Sequence, residues 1–113
     1  MGMSQRVKGH SWERAVSKMF REIGFKDAKR HLEMQFADCQ GYDIDGVFPW
    51  LPQCKAWKDY APISKIEEVK RQKGGKPLLI TKGDRKPAVA VLYLEDFLEL
   101  LEQSCHGSGV SQL

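Results

Sequence analysis

A chain of 113 residues is the size of one domain, and 42% hydrophobic with 29% charged residues is the composition of an ordinary water-facing protein. No apolar run approaches the roughly 18 residues that cross a bilayer, and no signal-type apolar stretch opens the sequence, so a cytoplasmic protein without a membrane partner is expected. The net charge of +3 is mild, but the basic residues cluster at Arg6, Lys8, Arg14, Lys18, Arg21, Lys26, Lys29 and Arg30, and again at Lys65, Lys70, Arg71, Lys73, Lys76, Lys82, Arg85 and Lys86, a distribution that suits a polyanion and equally suits solvated helix faces.

The first element is a helix over Ser11–Ile23. Trp12, Ala15, Val16, Met19, Phe20 and Ile23 recur at helical spacing, and Gly24 is a natural stop. Residues 29–36 alternate polar and apolar, as a half-buried strand does. A turn at Asp38–Gly41 leads into a short strand, Tyr42–Phe48, bent at Pro49. Trp50–Trp57 reads as its partner strand. Pro62–Gln72 reads as a second helix, with Ser64 and Glu67 as a capping box, Glu67 and Arg71 as a four-residue ion pair, and Gly74-Gly75 as its end. Leu78–Thr81 and Ala88–Tyr93 are apolar strands around a basic turn at 82–87. A last helix, Leu94–Gln103, should turn Leu94, Phe97, Leu98 and Leu101 inward. Residues 1–105 thus form one α/β domain, a central mixed sheet of about five strands flanked by helices, and the Gly/Ser-rich 106–113 is a flexible tail. Cys39, Cys54 and Cys105 include no CxxC pair, so reduced thiols are expected rather than disulfides or a thiolate metal site.

Asp43 and Lys55 carry the chemistry. Phosphodiester hydrolysis needs a hard cation to polarise the phosphate and make hydroxide, and magnesium takes carboxylate or carbonyl oxygens while keeping several waters. An aspartate on one strand supplies one ligand, and a neighbouring strand about 4.8 Å away can supply another. Position 53 is placed for that. Lys55 shares the face of position 53 by the period of two and can orient or deprotonate the attacking water. Glu13 and Asp45 are further acids within reach of such a site. Glu13 also fits a plain first-turn acid, and Asp45 a half-exposed strand acid. His10 suits capping or a phosphate contact, and His31 and His106 carry no signal. Trp50 and Trp57 suit the core and sheet cover.

Gly41-Tyr42-Asp43-Ile44, a hydrophobic turn, then Gln53-Cys54-Lys55 resembles the signature of the PD-(D/E)xK nuclease superfamily, and within it the Holliday junction resolvases of archaea and phages. The entry Lys8-Gly9-His10-Ser11-Trp12-Glu13-Arg14 and the Pro77–Leu101 stretch with Leu94-Glu95-Asp96-Phe97-Leu98 are similar to those proteins too, so the resemblance spans about residues 5–103. It implies a restriction-endonuclease-like fold and magnesium-dependent cleavage of four-way DNA junctions, with manganese as a substitute, by a homodimer in phage or prokaryotic cytoplasm. Asp43, Gln53 and Glu13 would hold the metal, and Glu13, Asp43, Gln53 and Lys55 would be the catalytic set. Arg6 and Lys8, on an N-terminal arm, with Arg30, Lys58, Lys82, Arg85 and Lys86, would contact DNA. The departure is Gln53, where the family has Glu or Asp. Three readings are open: Gln53 is an uncharged ligand, Asp45 or Glu13 supplies the charge, or the site is impaired. The last admits a catalytically silent DNA-binding protein, and a related repair nuclease is a further alternative.

Overall fold

Helix α1 spans Gln5–Glu22 in the computed structural model, which describes residues 5–31, 41–70 and 73–107. It starts before the predicted Ser11, because Gln5, Arg6 and Lys8 are good helix formers and carry the helix past Gly9. Arg6 and Lys8 therefore lie on a helix and not on a free arm. The C-terminus closes in a Schellman motif: Phe25 N–H donates to Phe20 O, Gly24 N–H donates to Arg21 O, and Gly24 takes φ +120°. The hydrophobic contact that accompanies this motif is an edge-on packing of Phe20 against Phe25. Trp12 and Val16 enter the core with Ala28, Ile44, Val47, Cys54 and Ala56. The apolar stripe is narrower than predicted, since Met19 and Ile23 are exposed; Ile23 falls in the capping turn, beyond the helix.

Five strands follow: β1 (Lys29–Arg30), β2 (Ile44–Asp45), β3 (Trp50–Ala56), β4 (Lys76–Lys82) and β5 (Val89–Leu92). They form two sheets among the described residues, not one of five strands. β1 and β2 pair antiparallel, Lys29 opposite Asp45. The other sheet has the order β3-β4-β5, with β3 and β4 parallel from Trp50↔Lys76 to Ala56↔Lys82, and β4 and β5 antiparallel. The main chain of Asp43 links the two: His31 N–H donates to its carbonyl at 2.7 Å, and its own N–H donates to Pro52 O at 2.6 Å. The hairpin predicted between 42–48 and 50–57 does not form as a ladder. Gly46, at φ +88°, bends the chain after only two strand residues. Residues 32–36 of the predicted first strand lie outside the described residues.

β3 is an edge strand of its sheet, which explains how Pro52 fits inside it, since an edge position needs no N–H donor there. Cys54 and Ala56 face the α1 cluster, and the pleat turns Gln53 and Lys55 to the opposite side. There the predicted second helix is a six-residue 3-10 helix, Ile63–Glu68. Its N-cap is Pro62, with no side-chain cap bond, so the Ser64–Glu67 capping box does not form. Side-chain bonds from Lys65 and Gln53 to Glu68 fasten the short segment. Arg71, the proposed partner of Glu67, lies outside the described residues.

Helix α2 spans Leu94–Gly107, running past the predicted Gln103; residues 108–113 lie outside the described ones. Its orientation reverses the expectation. Leu94, Phe97, Leu98 and Leu101 are exposed, while Asp96 is buried. The tie to the body is polar: Lys76 Nζ lies 2.6 Å from Glu99 Oε1 and 3.7 Å from Asp96 Oδ1. The helix leaves the end of the edge strand β5, and its acidic side meets the sheet. No described helix is long and apolar enough to cross a membrane.

Candidate active site and basic groove

Asp43 is delivered to the open edge of β3 by Gly41. Gly41 takes φ +86°, and a Cβ at that position would run into the carbonyl of Glu68. Only glycine lets the chain pass this close before reaching Asp43. Asp43 then brackets position 53, because its N–H donates to Pro52 O and its Oδ2 accepts from Cys54 N–H at 2.7 Å. Burial pushes its carboxyl up to about 6, with Glu13 adding repulsion; the Cys54 bond and the charges of Lys55 and His31 oppose this without cancelling it.

Glu13, on α1, accepts a hydrogen bond from Arg30 Nε at 3.0 Å, and both side chains are largely covered. Lys55 lies on β3. Glu13, Asp43 and Lys55 converge on one open cavity of about 310 Å³, joined by His10 and Trp57. Gln53 does not line it. The Gln53 side chain is buried at 3% exposure, its Nε2 donates to Glu68 Oε1 at 2.9 Å, and its Oε1 is buried with no hydrogen-bond donor.

Asp45 turns away to a different partner. Both of its oxygens lie 3.0 Å from His31 Nδ1, and the His31 ring stacks on Tyr42 with centroids 4.7 Å apart. Two residues are thus more involved than their sequence context suggested. His31 tethers Asp45 and bonds the main chain of Asp43. Glu68, on the segment predicted as the second helix, accepts a hydrogen bond from Gln53. Neither has a spacing signal, since both act through contacts between distant segments. Cys54 is a free thiol whose pKa burial drives far above the usual range, which leaves it an inert core residue. Trp50 packs against the α1 core cluster, as expected.

Among the described residues no group of three or more His, Cys, Asp or Glu side chains is arranged to hold a metal ion. The donors that line the cavity are fewer: two mutually repelling carboxylates, Asp43 and Glu13. This set fits a magnesium ion that keeps most of its waters and takes one or two carboxylates. It does not fit an ion coordinated wholly by protein.

A larger basic groove of about 760 Å³ shares Ala56 with this cavity. Lys8, Lys58, Lys82 and Arg85 line it, with Asp84 and Trp12. Lys82 Nζ lies 5.0 Å from the centre of the Trp12 ring, a cation–π distance. Lys8 Nζ lies 3.1 Å from Asp84, tying α1 to the β4–β5 turn. The other basic residues singled out in the sequence are placed elsewhere. Lys86 bonds Asp59 at 2.6 Å and covers Tyr60, Arg30 is held by Glu13, and the Arg6 side chain is outside those described. No family model, curated protein or solved structure matches the chain.

Proposed function

We propose that this chain is a magnesium-dependent, structure-specific DNA endonuclease of the PD-(D/E)xK class, with a restriction-endonuclease-like fold, acting on four-way junctions. The observation that carries the reading is the adjoining of two surfaces: the Glu13–Asp43–Lys55 cavity meets the Lys8–Lys58–Lys82–Arg85 groove at Ala56. A phosphate backbone held electrostatically in the groove would bring a phosphodiester to the carboxylates and the lysine. Magnesium, or manganese in its place, would polarise the phosphate and lower the pKa of a bound water. Asp43 would hold that ion, Glu13 would orient a water on it, and Lys55 would position the nucleophile and offset charge developing on the phosphate; Gln53, which lies outside the cavity, would have to turn into it to add its amide oxygen. The apolar face of α2 supports a homodimer, whose two-fold axis matches that of a junction. Reduced Cys54 and Cys105 suit the cytoplasm of a prokaryote or phage-infected cell.

The test is cleavage of a four-way junction, a flap and a plain duplex with magnesium, by the wild-type chain, Gln53→Glu and Lys55→Ala. Junction cleavage by the wild type or by Gln53→Glu, lost in Lys55→Ala, supports the reading. A second reading, a catalytically silent DNA-binding protein, is favoured by two observations: position 53 is uncharged, and Arg30 already neutralises Glu13. Tight junction binding with no cleavage by either form would establish it and sink the nuclease. Preferential cutting of flap or duplex would reassign the substrate to a repair nuclease.

A further inference from the structure

We infer that the arginine-rich pocket between α1 and β1 is a second seat for the phosphate backbone of DNA, across the candidate cavity from the lysine groove. The inference rests on the DNA-binding part of the reading above, not on cleavage, and names a surface that reading does not use.

Arg14, Ser17 and Arg21 are spaced by three and four residues, so they share one face of α1. Lys29 and Arg30 of β1 close that face, and the five residues line an open pocket of about 360 Å³. Ser17 is buried, and its hydroxyl is committed to Glu13 O at 2.9 Å. Two guanidiniums are fixed in place: Arg21 Nη1 donates to Ala28 O at 2.8 Å, and Arg30 Nε donates to Glu13 Oε1 at 3.0 Å. A carbonyl does not neutralise Arg21 and leaves its remaining N–H groups for another acceptor. Arg14 and Lys29 are exposed. Among the described residues no carboxylate lines the pocket, and none pairs with Arg14, Arg21 or Lys29.

Three uncommitted cations around one concavity attract a polyanion, and the fork of a guanidinium matches phosphate oxygens. The position favours DNA. Arg30 joins the pocket to the candidate cavity through Glu13, which lines that cavity. On α1, His10 and Glu13 turn to the cavity on one side of the buried Trp12 and Val16, and Lys8 and Ala15 turn to the lysine groove on the other. A bent or branched DNA with a phosphate in the cavity thus meets basic surface on both sides.

The test is junction binding without metal, followed by fluorescence anisotropy across a salt series, in the wild type, Arg14→Gln/Lys29→Gln and Lys18→Gln/Lys26→Gln. The first pair lies in the pocket; the second is exposed on the same part of the chain and does not line it. Circular dichroism checks that both variants keep the fold. The slope of log affinity against log salt should fall by about 0.9 for each phosphate contact removed, hence by about twice that in Arg14→Gln/Lys29→Gln, and should not change in Lys18→Gln/Lys26→Gln. Equal decrements in the two variants mean diffuse attraction and overturn the inference. An unchanged slope in Arg14→Gln/Lys29→Gln overturns it too, and leaves the lysine groove and the nuclease reading standing. Loss of polyglutamate binding in that variant, with junction binding intact, assigns the pocket to an acidic protein and also overturns it. No junction binding by the wild type at low salt overturns both the inference and the reading beneath it.

Discussion

Asp43 Oδ2 accepts the Cys54 N–H at 2.7 Å, so the candidate ligand also caps the exposed edge of β3. An unpaired edge N–H is a site for unwanted strand pairing, and here a carboxylate covers it at the cost of its own burial. That cost sets a pH dependence. The folded carboxyl sits at about 6, above its unfolded value, so folding favours the protonated form. Its contribution to stability is fully present below about pH 4 and is lost as pH rises through about 6. Asp43→Asn keeps an acceptor for Cys54 and removes the charge. The metal-free variant should be more stable than wild type near neutral pH by about 2 kcal/mol, with the advantage gone in acid. Urea denaturation at both pH values measures this. A less stable variant at neutral pH would show that the charge is well compensated in the fold.

Gly41→Ala should damage fold and site together. The substitution strains a backbone at φ +86° and places a methyl against the Glu68 carbonyl. A loss of at least about 2 kcal/mol is expected in urea titration, because the obstacle is main chain and cannot rotate aside. Wild-type stability in the alanine variant would mean that the 41–43 segment can pass Glu68 by another route.

The groove predicts a division among lysines that sequence alone does not make. Junction affinity, followed by fluorescence anisotropy across a salt series, should lose about 0.9 from the log–log slope for each phosphate contact removed. Lys58→Gln and Arg85→Gln should each show that decrement. Lys86→Gln should leave the slope unchanged, because Lys86 is committed to Asp59. Equal effects at all three positions would replace a defined groove with diffuse attraction to the whole surface.

The elements that sequence periodicity located well are those with local causes. α1 has a stripe of apolar residues and a glycine stop, and β4 shows a clean alternation of half-buried and buried positions. The pairing was less legible. Nothing in 42–57 says that Trp50–Ala56 pairs parallel with Lys76–Lys82, because that choice depends on segments far apart in the chain. The site divides in the same way. Asp43, Lys55 and Glu13 stand out by residue type and spacing, and the fold brings them to one cavity. The partners that tune them, Arg30 on Glu13, His31 on Asp45 and Glu68 on Gln53, are contacts across 17, 14 and 15 residues, with no periodic signature.

Helix α2 bears on the oligomeric state. Its sequence pattern marked Leu94, Phe97, Leu98 and Leu101 as core, and these residues are instead exposed, as are Val89 on the edge strand and Tyr93 just after it. A contiguous apolar face of this kind is unfavourable in a lone water-facing protein. Isologous packing of the face against its own copy removes it from water, as homodimer interfaces do. The wild-type chain should therefore sediment as a dimer at micromolar concentration, and Leu98→Glu as a monomer. The variant should keep its circular dichroism spectrum, because Leu98 is exposed and α2 is tied to the body through Lys76 with Asp96 and Glu99. A monomeric wild type would remove the dimer from the proposed function. A Leu98→Glu protein that unfolds instead of dissociating would place the leucine face inside the protomer after all.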